Sequence, residues 1–101
     1  MKPVAQRCDI QFLVCVNERP GNNPLPSCGV ERGNAFFNSF RQAAMAWGAQ
    51  RGVQVWVNRS LCQGFCHKDG ITLSAFPGQK RWNAVTEADV PEILRIMGEN
   101  L

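Results

Sequence analysis

The stretch IQFLVCV, residues 10–16, is a short apolar run rich in β-branched and aromatic residues, and it predicts a buried strand. The following stretch, NERPGNNPLPSCG at 17–29, is dense in proline, glycine and asparagine and predicts a loop. Residues 31–50 place apolar side chains at helical spacing, which predicts a helix that Gly52 ends. Its apolar stripe consists of Phe36, Phe37, Phe40, Ala43, Ala44 and Trp47.

Alternation of valine with other residues follows this helix. Val53, Val55 and Val57 alternate with Gln54, Trp56 and Asn58, which predicts a strand with Trp56 on the face opposite the valines. A second loop is predicted over residues 59–70, where glycine and polar residues return. The two predicted loops therefore each follow a strand.

Two more strands and a helix complete the prediction. The strands span residues 71–76 and 80–85 and are joined by a turn at Pro77-Gly78-Gln79. Thr86 and Asp89 stand at the spacing of a capping box, with aspartate in place of the usual glutamate, and predict the start of the last helix. The buried stripe of this helix is predicted to be Val90, Ile93, Leu94 and Met97.

The predicted order of elements is β-α-β-β-β-α. A strand–helix–strand crossover followed by an antiparallel hairpin and a terminal helix is a thioredoxin-like arrangement of the α/β class. It would form a small mixed sheet of about four strands packed with two helices. At 101 residues, the chain is expected to be a single domain spanning residues 1–101.

The cysteines carry the most specific chemical signal. Four of the five are spaced C-x12-C-x33-C-x3-C, at Cys15, Cys28, Cys62 and Cys66. Each pair lies in or beside one of the two predicted loops. Because the ends of two parallel strands meet at one edge of a sheet, the four sulfurs could converge there. Four thiolates can hold a [2Fe-2S] cluster, which makes electron transfer the leading hypothesis.

Other interpretations of the cysteines remain open. A zinc site usually pairs ligands two to four residues apart, and only the Cys62/Cys66 pair satisfies this. A thiol oxidoreductase would need a C-x-x-C motif, which the chain lacks. Cys8 lies outside the pattern and is interpreted as a bystander thiol, the alternatives being a substitute ligand or an intermolecular disulfide. His67 adjoins Cys66 and is interpreted as a surface residue rather than an alternate ligand.

Composition excludes several classes of function. The formal charge is +3 with scattered basic residues, which argues against a nucleic-acid partner. No stretch approaches the roughly 20 apolar residues of a membrane span. The N-terminus does not resemble a signal peptide and the cysteine count is odd, so we expect a cytoplasmic protein with reduced thiols. No carboxylate pair, Ser/His/Asp set or phosphate loop suggests an enzyme.

Several motifs together resemble one family, the thioredoxin-like [2Fe-2S] ferredoxins. They are FLVCVNERP at 12–20, PSCG at 26–29, Arg32-Gly33, LCQGFC at 61–66 and EADVPEIL at 87–94. The resemblance implies a homodimeric one-electron carrier with one [2Fe-2S] cluster per chain, held by Cys15, Cys28, Cys62 and Cys66. It also implies redox protein partners that act as electron donor and acceptor.

Two alternative functions stay open beside a free-standing carrier. One is an iron–sulfur module docked in a larger oxidoreductase, and the other is a structural or sensing protein built on zinc or iron–sulfur.

The basic residues that flank the cysteines are interpreted either as solvated charges or as a docking rim for an acidic redox partner, which would make reduction rates depend on salt. They are Arg19, Arg32, Arg59 and Lys68. Trp47 is expected in the core, and Trp56 and Trp82 are expected to be at least half-buried rather than at a dimer contact.

Overall fold

The computed structural model describes residues 1–4, 7–16, 30–61 and 70–99. Four strands and two helices follow the predicted order. In chain order they are β1 (Ile10–Cys15), α1 (Val30–Arg51), β2 (Val55–Ser60), β3 (Ile71–Phe76), β4 (Lys80–Val85) and α2 (Val90–Glu99). A 3₁₀ turn at Glu87–Asp89 leads into α2, and the amide of Thr86 donates a 2.9 Å hydrogen bond to Asp89 Oδ2, as the predicted capping box requires.

The four strands form one mixed sheet in the order β2-β1-β3-β4. Strand β1 is parallel to β2 and antiparallel to β3, and β3 is antiparallel to β4. Helix α1 makes the crossover that a parallel pair requires. As a result, the C-terminal ends of β1 and β2 and the N-terminal end of β3 all lie at one edge of the sheet.

One face of the sheet packs against α1. Ile10, Phe12 and Val14 alternate along β1 and are fully buried. The ring of Phe12 meets the ring of Phe40 edge-on, with centroids 4.8 Å apart, and Phe40 stacks on Phe36 at 5.6 Å. All four residues of the predicted stripe on α2 are also buried, which confirms that prediction.

Several details of the sequence-based prediction were wrong. Val53 and Gln54 were included in the second strand, but β2 begins at Val55. Ala43 is exposed, because the buried row of α1 follows Phe36, Phe40 and Ala44 at intervals of four and leaves Ala43 beside it. Arg59 was assigned to the second loop together with Ser60, but both belong to β2. They pair with Val14 and Cys15 of β1, so the parallel ladder extends two residues further than the valine alternation indicates.

Helix α1 ends where the sequence predicts. Gly52 follows its last residue and has φ +67°, the left-handed conformation that glycine adopts without steric cost. No atom lies within 4 Å of a Cβ built at Gly52, so a substitution there adds strain without a clash. Among the described residues, no helix is long and apolar enough to cross a membrane.

Gly52→Ala is therefore expected to lower the free energy of unfolding by about 1 kcal/mol, because alanine disfavours the left-handed region. Urea denaturation of the two proteins would measure this loss. Gly52→Asn is the matched control and should lose less, since asparagine tolerates this conformation better. Equal losses in both variants would contradict a backbone origin of the effect.

Candidate metal centre

Cys15 lies where the C-terminal ends of β1 and β2 meet the N-terminal end of β3, which we call the cysteine edge of the sheet. The two predicted loops begin and end there. Cys15 is the last residue of β1 and is fully buried. Its partner on β2 is Ser60, and the Val16 amide donates a 2.9 Å hydrogen bond to the Ser60 carbonyl oxygen. The end of β1 is thus fixed to the end of β2 up to the point where the first loop leaves.

The topology brings the ends of both loops around this cysteine. The first loop runs from the end of β1 to the start of α1, and the second from the end of β2 to the start of β3. Because β2 and β3 are the two neighbours of β1, the second loop begins and ends on either side of Cys15, over a span of roughly 10 Å. Both loops therefore start at one edge, as the crossover argument predicts.

The remaining predicted ligands, Cys28, Cys62 and Cys66, lie outside the described residues, as do His67, Arg19 and Lys68. The described residues contain no group of three or more His, Cys, Asp or Glu side chains that could hold a metal ion. Cys8 is half-buried and precedes β1, so it lies towards the opposite edge of the sheet from Cys15. Its interpretation as a bystander thiol stays a prediction.

The first turn of α1 rests directly on the end of β1. A Cβ atom built at Gly33 would lie 2.7 Å from the carbonyl oxygen of Cys15 and 2.8 Å from the Cα atom of Val16. Both distances are shorter than real Cβ contacts, so only glycine fits between the helix and this strand end. The close approach fixes the backbone of Cys15 relative to the helix that follows the first loop.

The same turn of α1 also contacts the end of β2, through Arg59. Its Nε donates a 2.6 Å hydrogen bond to Asn34 Oδ1, and its guanidinium carbon lies 4.0 Å from the ring centroid of Phe37. From the sequence, Arg59 was predicted to be a charged residue in the second loop, so neither contact was predicted. Arg32 is exposed in the same turn, beside Glu31.

Hydroxyl side chains lie on both strands that neighbour β1. Ser60 lies beside Cys15 on β2, and Thr72 and Ser74 on β3 are fully buried. Arg81 Nε donates a 2.8 Å hydrogen bond to Ser74 Oγ. The alternation of Thr72 and Ser74 with apolar residues in ITLSAF would by itself predict an exposed polar face, so the sequence did not indicate that these hydroxyls are buried. Strand β3, next to the strand that carries Cys15, therefore has buried polar side chains among its apolar ones.

Other notable side chains lie away from the edge. Trp56 lies on β2 on the face opposite the buried valines, as predicted, but it is more exposed than expected. Trp47 and Trp82 are partly buried and pack against the core.

On α2, the hydrogen bond from Arg95 lowers the pKa of Glu92 below its usual value, and the same bond raises the pKa of Arg95. Both side chains are exposed, so this pair has little bearing on the cysteine edge.

Comparison with protein-family models finds no match, and comparison with curated protein sequences finds none. Solved structures do match. The wild-type thioredoxin-like [2Fe-2S] ferredoxin from Aquifex aeolicus gives a TM-score of 0.69 at 23% identity, covering 85% of this chain and 82% of that chain. A single Cys-to-Ser variant of that protein gives a TM-score of 0.70 at 22% identity, covering 85% and 83%.

A further structure of a thioredoxin-like [2Fe-2S] ferredoxin from the same organism gives a TM-score of 0.68 at 24% identity, covering 84% of this chain and 76% of that chain. Likeness at such low identity establishes the fold. The protein has a thioredoxin-like fold, with a four-stranded mixed sheet and two helices. The predicted fold class and the predicted resemblance are therefore confirmed at the level of architecture.

Proposed function

We propose that this protein is a one-electron carrier that holds one [2Fe-2S] cluster per chain through Cys15, Cys28, Cys62 and Cys66. The observation that carries the proposal is the position of Cys15, buried at the edge where both cysteine-bearing loops begin and end. When bound, such a cluster supplies a centre that accepts and releases one electron.

Chain connectivity supports this ligand set. Cys28 precedes the first residue of α1 by two positions, and Cys62 follows the last residue of β2 by two. Two residues span at most about 7 Å, which keeps both cysteines near the edge that holds Cys15. A set of four thiolates suits a [2Fe-2S] cluster, whereas zinc would favour two closely spaced pairs.

The fold also supports a carrier rather than an enzyme, because the structural neighbours are ferredoxins. On this proposal the partners are a protein donor and a protein acceptor of electrons, and the protein works in the cytoplasm, where thiols stay reduced.

We further propose that the protein forms a homodimer. Light scattering would test this, and a mass near the 11.3 kDa of one chain would contradict it.

The experiment that tests the function is an absorption spectrum of anaerobically purified protein, with iron and acid-labile sulfide measured on the same sample. We expect a brown protein with about two irons and two sulfides per chain that bleaches on reduction. A protein that stays colourless after reconstitution with iron and sulfide would contradict the proposal and favour zinc. Co-purification with flavin or catalytic subunits would instead identify a module of a larger oxidoreductase.

A further inference from the structure

We propose that Arg59 is a positioning residue that ties the end of β2, which precedes the second predicted loop, to the start of α1, which follows the first. The inference rests on the proposed function, since it assigns Arg59 a role in shaping the site where the cluster would bind. It concerns contacts between described residues, whose effect can be tested apart from electron transfer.

Arg59 makes two contacts, and both are with residues that lie within one turn of α1. Nε donates a 2.6 Å hydrogen bond to Asn34 Oδ1, and the guanidinium carbon lies 4.0 Å from the ring centroid of Phe37. The hydrogen bond fixes the plane of the guanidinium group and the ring supports its face. Together they leave the side chain little freedom, although Arg59 lies on the exposed surface.

These contacts join the chain on either side of the proposed site. Asn34 lies six residues after Cys28, and Arg59 lies three residues before Cys62. One end of the link therefore follows the first predicted loop, which carries Cys28, and the other precedes the second predicted loop, which carries Cys62 and Cys66. Loss of the link would therefore loosen the end of β2, which Cys62 follows, relative to the start of α1, which Cys28 precedes.

Strand β2 is an outer strand of the sheet, so β1 is its only neighbouring strand among the described residues. Its last residues pair with β1 on one side only, through Val14–Arg59 and Cys15–Ser60. The Arg59 side chain provides a second attachment, to α1, one residue before β2 ends and the second predicted loop begins. Without it, the pairing with β1 would hold the end of β2 with less support from α1, and we expect that end to become more mobile.

The test compares Arg59→Gln, Arg59→Lys and Asn34→Ala with the wild-type protein loaded with iron and sulfide. The rate of bleaching of the visible absorption in the presence of an iron chelator measures how firmly the cluster is held. The electron paramagnetic resonance spectrum of the reduced protein reports the geometry at the iron atoms. Thermal unfolding followed by circular dichroism shows whether each variant is folded.

We expect Arg59→Gln and Asn34→Ala to lose the cluster about fivefold faster than wild type, the factor that matches one exposed interaction of this kind. Both should broaden or shift the resonance spectrum. The double variant should lose the cluster no faster than Arg59→Gln, because both changes remove the same link. Arg59→Lys keeps the charge but lacks the planar group, so it should behave like Arg59→Gln.

The chain offers a matched control in Arg51. This arginine also lies over an aromatic ring of α1, 4.8 Å from the Trp47 centroid, and it donates a 3.3 Å hydrogen bond to the Trp47 carbonyl oxygen. It stands at the opposite end of the helix from the cysteine edge. Arg51→Gln should therefore leave both the bleaching rate and the resonance spectrum unchanged.

Bleaching at the wild-type rate and an unchanged spectrum in Arg59→Gln would overturn the inference while leaving the proposed function intact. Full rescue by Arg59→Lys would also overturn it, because charge alone would then account for the effect. An equal effect of Arg51→Gln would show a general loss of stability instead. A wild-type protein that never takes up iron and sulfide would overturn the proposed function and the inference with it.

Discussion

Cys15→Ala is expected to abolish the visible absorption of the protein and to reduce its iron and sulfide content to near zero. Cys15 is the one predicted ligand that the structure describes, and it is fully buried at the edge where both loops meet. Alanine has no group that can bind iron, so three thiolates would remain for a site that needs four. Absorption spectra and iron assays after identical reconstitution measure the effect.

Cys8→Ala is the matched control, because it removes a thiol from the same chain at a distant position. The length of β1 separates Cys8 from Cys15 by roughly 20 Å. The control should keep its full spectrum. A wild-type spectrum in Cys15→Ala combined with a lost spectrum in Cys8→Ala would reassign the ligand set and contradict the spacing argument.

The same reconstitution applied to Cys28→Ala, Cys62→Ala and Cys66→Ala extends the test to the three predicted ligands outside the described residues. Each should lose the spectrum as Cys15→Ala does. An intact spectrum in Cys62→Ala would overturn the assignment, because the second pair of cysteines would then lack one member. The four variants together test whether all four cysteines of the spacing pattern bind the cluster.

Periodicity and turn residues were sufficient to predict most of the fold. The hairpin strands begin and end at the predicted residues because ITLSAF and the Pro-Gly turn leave little choice of register. The bounds of α1 differ by one residue at each end from the predicted helix. The positive φ at Gly52 explains why a glycine marks that helix end.

What the sequence could not show depends on register and on contacts between distant residues. Arg59 and Ser60 follow the valine alternation and look like the start of a loop, yet the parallel pairing with β1 keeps them in the sheet. The bond between Arg59 and Asn34 joins residues 25 positions apart and has no local signature. The cysteine spacing predicts a ligand set, but only the strand order shows that β1 lies between the two ends of the second loop.

Gly33→Ala is expected to destabilise the protein and to weaken its hold on the cluster. The new methyl group would lie 2.7 Å from the Cys15 carbonyl oxygen and 2.8 Å from the Val16 Cα atom. Both neighbours are backbone atoms, so no side chain can move aside, and the helix and strand end must separate. Overpacking of this kind lowers the free energy of unfolding by about 1–3 kcal/mol, even though alanine favours helix.

Gly98→Ala provides the control, because it places the same change in a helix against a side chain instead of a backbone. Its Cβ would lie 3.0 Å from Cζ2 of Trp47, a partly buried ring that can shift by a few tenths of an ångström. We expect its stability to stay within about 0.5 kcal/mol of wild type in urea denaturation. Only Gly33→Ala should also shed iron faster, because only that change displaces the backbone of Cys15. Equal stability and equal iron retention in the two variants would mean that the start of α1 does not fix the position of Cys15.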